Sequence, residues 1–267
     1  MQIRQGMLWF AVIGTFLIGL RHLFPGEAAS GGAFDAFCPF GAIENLWPYL
    51  VRGETLKTTN LLNFAVFSGV LAVSLVAGRA FCGWMCPLGA VQEGLAKLVR
   101  RLGGEKRPIR GKPSKTSFPR QLPPWADRPL RYLKYVILAV IVFASASTIY
   151  PPLHAICPAR AVFGFKLGTV LLWGVLLAFI ATSLLVERFS CKYLCPLGAT
   201  LAIFNKIAPV RLRVGSDACN HCGRCDIECS MGIQDVPDHL DDLECIRCLE
   251  CLETCSRDDA LTLKLGG

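Results

Sequence analysis

The stretch RAFCGWMCPLGAVQEGL, residues 79–95, closes a long apolar run, and the chain repeats it as RFSCKYLCPLGATLAIF, residues 188–204, at the end of another. Each copy reads C-x3-C-P-L-G-A, with Cys82 and Cys86 in the first and Cys191 and Cys195 in the second. A proline straight after the second cysteine suits the first position of a new helix, where no amide donor is needed. The pattern therefore predicts that the first cysteine closes an apolar helix and that an interfacial helix opens at the proline. Two such turns facing each other would bring four thiols to one point, beside helix N-termini whose amides stabilise thiolates and anionic groups. Buried structural thiols account for isolated cysteines. The repetition of pair, proline and glycine argues instead for a metal or redox role.

Working outward, the chain of 267 residues is 53% hydrophobic, too apolar for an ordinary soluble domain. Four runs carry the excess: 7–24, 61–78, 135–150 and 167–186. A bilayer core about 30 Å thick takes roughly 20 helical residues. We read four membrane-spanning helices, the first ending near Arg21 and His22. Core helices of a soluble protein are the competing explanation, and a signal peptide over the first run lacks a convincing small-residue cleavage site.

Charge sets the orientation. The connection from Arg79 to Lys134 carries thirteen Lys and Arg against Glu93, Glu105 and Asp127. The other two connections carry only Arg52, Lys57, Arg160 and Lys166. An excess of bases marks the cytoplasmic side, so the basic loop, both chain ends and both C-x3-C-P turns fall in the cytoplasm. KRPIRGKPSKTSFPR reads as a juxtamembrane linker within 101–131, not as a nucleic-acid footprint. The net charge of +8 hides a division: residues 214–267 hold twelve acids and four bases, a balance of −8. An acidic domain thus follows a basic membrane part, with the boundary placed between 208 and 209.

That acidic domain holds eight of the fourteen cysteines. CNHCGRCDIEC supplies Cys219, Cys222, Cys225 and Cys229, and CIRCLECLETC supplies Cys245, Cys248, Cys251 and Cys255. Both read C-x2-C-x2-C-x3-C, the run with which bacterial ferredoxins hold two [4Fe–4S] clusters, the fourth cysteine crossing to the other cluster. The expected sets are Cys219, Cys222, Cys225 and Cys255 for one cluster and Cys245, Cys248, Cys251 and Cys229 for the second. Zinc sites use cysteines paired in fours, and a reducing cytoplasm opposes disulfides. Ser230 and Ser256 stand where a proline usually follows the fourth cysteine.

Cys38 and Cys157 complete the count, each before a proline and each just past an odd-numbered apolar run. The order helix, Cys-Pro, helix, C-x3-C-P therefore runs twice, over about 1–100 and 130–205, as a parallel internal repeat. A pseudo-twofold axis along the bilayer normal would bring Cys38 near Cys157 on the outer face. There they could form a disulfide, ligate an outer cluster or act as an exchange couple. His22 and His154 read as interfacial histidines before haem ligands, and His221 as a residue tuning its cluster loop. Glu44, Gln92 and Glu93 follow Cys-Pro turns and could meet a quinone's oxygens, with solvated helix faces as the plainer expectation.

Four spans, two C-x3-C-P turns and a two-cluster ferredoxin tail together resemble the NapH/MauN-type membrane ferredoxins. The membrane part is also similar to the iron–sulfur regions of NosR-like and CcoG-like proteins. The resemblance implies an α-helical membrane protein with a C-terminal α+β ferredoxin domain in the bacterial cytoplasmic membrane. It implies ligand roles for the eight ferredoxin cysteines and a redox role for Cys82, Cys86, Cys191 and Cys195. It further implies a quinol-dehydrogenase component exchanging electrons with quinone and with an iron–sulfur or cytochrome partner subunit. The alternative it leaves open is an assembly factor that reduces a metal centre or thiols of a client enzyme.

Overall fold

The computed structural model describes residues 2–21, 38–53, 61–102, 122–147, 156–164, 170–215, 218–234, 236–240, 242–257 and 260–265. His22, His154 and most of the basic linker lie outside them. The first half runs α1 (Gln2–Arg21), α2 (Gly41–Arg52), α3 (Leu61–Ala77), α4 (Ala80–Trp84) and α5 (Pro87–Leu102). The second runs α6 (Pro124–Ser147), α7 (Pro158–Phe163), α8 (Val170–Leu185), a π-helical turn over Ser190–Leu194, and α9 (Pro196–Phe204). The tail adds β1 (Val210–Val214), α10 (Arg224–Glu228), α11 (Glu250–Thr254) and β2 (Leu261–Leu265).

The two halves pack as copies. Helix α5 lies on α1 and α8, and its counterpart α9 lies on α6 and α3. On the opposite end, α2 packs against α3 and α6, while α7 packs against α8 and α1. Each half therefore clasps the other with both of its short helices, the arrangement a pseudo-twofold axis requires. The start of α1, the end of α3, the start of α6 and the end of α8 all meet the tail domain. Arg4 reaches Glu250, Gly78 just past α3 lies against the Arg247 side chain, Arg131 reaches Met231, and Arg188 just past α8 interacts with Cys248. The four long helices thus run up and down in turn.

Three details depart from expectation. The apolar helices stop before the first cysteine of each turn. Gly78 takes a left-handed conformation (φ 57°), as does Arg188 (φ 53°), and Cys82 and Cys191 then sit in separate turns. A side chain at residue 78 would overlap the Asn205 carboxamide, so glycine is needed there. Helix α6 begins at Pro124, inside the stretch assigned to the linker, because its polar first turns have partners. Arg131 pairs with Asp127 one turn earlier (2.6 Å), and Asp127 also accepts from the Tyr193 hydroxyl. Finally, one helix among the described residues, Gln2–Leu20, is long and apolar enough by itself to cross a membrane. Leu62–Ala77 and Val170–Leu185 are apolar but shorter. Large apolar side chains face outward along these helices: Phe10 and Phe143 are 80% exposed and Val170 87%. Exposed apolar surface of this kind marks a face that meets another protein or a membrane.

The tail is a small α+β unit closed by antiparallel pairing of β1 with β2, Val210 opposite Leu265 and Val214 opposite Leu261. Its two cysteine runs share one backbone course. His221 and Gly223 in the first, and Arg247 and Leu249 in the second, all have positive φ. Met231, Ile233, Val236 and Ile246 join Cys82, Leu197 and Leu201 in one apolar core, so no solvent layer separates tail from helices.

Buried charge ties this core together. Glu93, on α5, accepts from Arg4 and Arg188 at 2.6 Å each and from Lys97 at 2.6 Å. Arg79 pairs with Glu244 at 2.8 Å, and Lys134 pairs with the same carboxylate. Removing one partner of a buried ion pair leaves the other desolvated and uncompensated.

Two expected outcomes follow from these contacts. Glu93→Gln should cost about 3–5 kcal/mol in thermal unfolding of detergent-solubilised protein. Burial opposes ionisation of Glu93, but Arg188 and Arg4 outweigh it and hold the carboxyl at about 2, below its ordinary 4.5. The difference between wild type and variant should therefore be complete above pH 4.5 and shrink as pH falls from there toward 2. Gly83 is the second site: a Cβ there would stand 2.5 Å from the Ile246 carbonyl, which is backbone and cannot swing away. Gly83→Ala should cost about 1–3 kcal/mol. Gly94→Ala, on the same region's open helix face with nothing within 4 Å, should be neutral or stabilising.

Candidate metal centres

The repeated turns build one site from both halves. In each, the amide of the second cysteine donates five residues back: Cys86 to the Phe81 carbonyl (3.0 Å) and Cys195 to the Ser190 carbonyl (2.8 Å). Such widened turns are rare and concentrate at functional sites. They release the chain so that Pro87 and Pro196 open α5 and α9, as the sequence predicts. Cys82, Cys86, Cys191 and Cys195 become electrostatic neighbours of one another across the two halves. Cys82 and Cys191 are buried.

Two guanidiniums close the site, and each crosses to the other half. Arg188 donates to the Cys82 carbonyl at 2.9 Å and covers Gly89, where a Cβ would lie 3.2 Å from its Nη1. Arg79 covers Gly198 in the same way, at 2.9 Å from its Nη2. The glycines of the two CPLGA motifs are there to admit these arginines. Arg79 interacts with Cys82 and Cys191, and Arg188 with Cys191 and Cys248. Both are fully buried, yet Nε and Nη2 of Arg79 and Nε of Arg188 have no hydrogen-bond partner. Buried donors are nearly always satisfied. Four thiols with two half-satisfied cations fit an anionic group between them.

The tail brings its eight cysteines together in the crossed sets. One cavity is lined by Cys245, Cys248, Cys251 and Cys229, the other by Cys219, Cys222, Cys225 and Cys255. They are near-equal, about 430 and 410 Å³ with their mouths, as two copies of one motif should be. Burial, before any neighbour, pushes Cys229 and Cys245 up to about 11 and Cys86 and Cys248 up to about 12. Such thiols are poor nucleophiles near neutral pH and become ligands when a metal's charge draws off the proton. Among the described residues no three His, Cys, Asp or Glu stand at the spacing that grips a single ion. A cubane asks for a wider set, since each thiolate holds its own iron corner.

Cys38 and Cys157 also become electrostatic neighbours, at the opposite end of the helices. Burial and then Cys157 push Cys38 up to about 12. The solvated-face expectation for Glu44, Gln92 and Glu93 does not hold: they are 4%, 0% and 2% exposed. Glu93 is consumed by its three cations, whereas both polar atoms of the Gln92 amide have no partner. His221 lies in the wall of the Cys219 cavity. Sequence reasoning missed Arg79, Arg188, Lys192, Asn205 and Glu244. The two arginines were findable, since each stands three residues before its first cysteine in both copies.

Comparison with known proteins agrees with this geometry. A family described as a 4Fe–4S binding domain matches residues 59–104 and 167–215, which contain the two C-x3-C-P turns and none of the eight tail cysteines. YccM of Escherichia coli is 28% identical over 210 residues, 75% of this chain and 55% of YccM. MJ0750, an uncharacterised protein of Methanocaldococcus jannaschii, is 32% identical over 224 residues, 83% of this chain and 84% of its own. The ferredoxin-type protein NapH of Escherichia coli is 29% identical over 225 residues, 81% of this chain and 70% of NapH. MauN, NirI and NosR proteins also match. The chain thus spans little more than half of YccM but most of MJ0750. No solved structure matches. Paired cysteine turns, a two-run ferredoxin tail and these relatives lead to one conclusion: the chain has a 4Fe–4S binding domain and belongs to the NapH/MauN-type ferredoxin proteins.

Proposed function

We propose that this protein is a membrane-anchored subunit that moves electrons between the quinone pool and a redox partner subunit through three [4Fe–4S] clusters. Two belong to the tail domain of 209–267, in the crossed cysteine sets. The third belongs to Cys82, Cys86, Cys191 and Cys195 at the ends of the two repeats. The observation that carries the reading is the meeting of those four cysteines under Arg79 and Arg188, within the two stretches that match a 4Fe–4S binding family. When bound, such clusters supply one-electron carriers that need no proton or bond change. The chain's own residues hold them, exclude water and offset their negative charge.

The four long helices cross the cytoplasmic membrane, with both chain ends and the tail on the cytoplasmic side. Alternating helix direction, the outward apolar side chains and the basic connection support this orientation. In sequence, the apolar runs 61–78 and 167–186 that contain α3 and α8 reach span length. Gln92, with its unpaired buried amide, is the residue retained for a quinone oxygen; Glu93 is not. Cys38 and Cys157 form a redox pair on the outer side. The electron-relay reading is favoured over a thiol-reducing assembly factor because Cys82 and Cys191 are buried from any client protein.

Anaerobically purified protein should contain about 12 iron and 12 sulfide per chain. The Cys82→Ser, Cys191→Ser double variant should contain about 8, with the tail clusters retained. Equal values near 8 in both would remove the third cluster.

A further inference from the structure

The three cysteine sets are not equivalent in position. The loop that carries Cys245 and Cys248 lies directly against the first C-x3-C-P turn. A Cβ on Gly83 would stand 2.5 Å from the Ile246 carbonyl and 3.5 Å from the Cys248 backbone. Trp84, within the same turn, donates its indole N–H to the Arg247 carbonyl at 2.9 Å. Asn205, at the end of α9, donates to the Cys245 carbonyl at 2.7 Å and accepts from the Arg79 amide at 2.8 Å. Glu244, next to Cys245, holds the guanidinium of Arg79.

The remaining ligand of this set is bound to the helices as well. Lys192, between Cys191 and Cys195, is buried and interacts with Cys229. Arg131 donates to the carbonyls of Met231 and Gly232 just after it, at 2.9 and 3.2 Å. Arg188 interacts at once with Cys191 and Cys248. Both ligand-bearing segments of the Cys229/Cys245/Cys248/Cys251 set thus rest on residues that also shape the four-cysteine site. The other set has the opposite character. Cys222 is exposed, and its cavity is walled by the tail's own Asn220, His221, Arg224, Pro237 and Arg257.

We propose that the Cys229/Cys245/Cys248/Cys251 set is the sole direct relay to the four-cysteine site, and that the Cys219/Cys222/Cys225/Cys255 set is the outward terminus of the relay. The inference rests on the three-cluster reading above. Each hop is one electron: the set that gives it is oxidised, the neighbour is reduced, and no bond or proton is exchanged. Glu244 and Arg79 are positioning residues at the inner hop, locking the relay loop to the turn.

Electron paramagnetic resonance of the full chain in detergent, reduced with dithionite, tests this order through spin coupling between adjacent clusters. Cys222→Ser should leave the coupled signal of the two remaining clusters. Cys248→Ser should leave two uncoupled signals. The reverse pattern, or coupling unaffected by either, overturns the proposal. Glu244→Gln keeps every cysteine, and because it also breaks the buried pairs with Arg79 and Lys134, its iron and sulfide content is measured first to show that all three sets are filled. Removing this negative charge should raise the midpoint potentials of two of the three signals and leave the exposed set's unchanged. A shift confined to the exposed set, or none, also overturns it. Iron near 8 per wild-type chain with no third signal means the three-cluster reading has failed and takes this inference with it. Three signals wrongly paired defeat the inference alone.

Discussion

A guanidinium taken fully out of water is stable only among anions, because its desolvation costs more than one hydrogen bond returns. Arg79 and Arg188 are both in that position, and the architecture is arranged around them. Each leaves its own half, crosses the pseudo-twofold axis and lies over a glycine of the other half's CPLGA motif. Neither half alone would provide the surface that covers its own arginine. The repeats are therefore obliged to pair face to face, and that pairing is what brings the two cysteine pairs together. Carboxylates account for only part of each cation's hydrogen-bonding capacity. The donors left over belong to side chains that interact with the thiols, where the proposed anionic cluster would complete them.

The same constraint explains why the cysteines sit in turns and not in the long helices. A thiol on a regular helix end is carried by that helix's axis, and two opposed helices would hold four such thiols too far apart. Breaking the chain at Gly78 and Arg188, both left-handed, frees a short segment to turn inward. The widened turns that follow then present Cys86 and Cys195 at the openings of α5 and α9. Strain of this kind gathers where function requires a geometry the regular backbone does not offer.

Much of this was legible in the sequence because it is written in spacing. The C-x2-C-x2-C-x3-C runs fix which cysteines share a loop, and the crossed cavities follow from that register. The Cys-Pro motifs mark helix openings at Pro87 and Pro196 for a reason local to the chain, the missing amide of proline. The repeat order led to Cys38 meeting Cys157 and to the four inner cysteines meeting one another. What spacing cannot carry is partnership between distant side chains. Glu93 read as a solvated helix residue because α5 is amphipathic, and nothing nearby in sequence announces Arg4 or Arg188 as its partners. Helix α6 began earlier than expected because Asp127, Arg131 and Tyr193 satisfy one another across the fold. Local composition around the prolines gave no sign of that.

The departures from symmetry are as informative as the symmetry. In the first repeat, Gln92 and Glu93 follow the CPLGA motif, and Glu93 serves Arg188. At the matching positions of the second repeat stand Leu201 and Ala202, both fully buried. No carboxylate can come from there for Arg79, whose carboxylate partner is Glu244, beside the tail's Cys245. The helical part thus cannot complete its own charge balance. Detaching the tail would leave Arg79 and Lys134 buried with their shared carboxylate gone, a cost of several kcal/mol on the scale of broken buried pairs. Tail and helices consequently fold as one unit, and the contact that stabilises Arg79 is the one that seats Cys245 against the four-cysteine site. In this protein the ion pair that completes the fold and the junction between the two cysteine sites are the same few atoms.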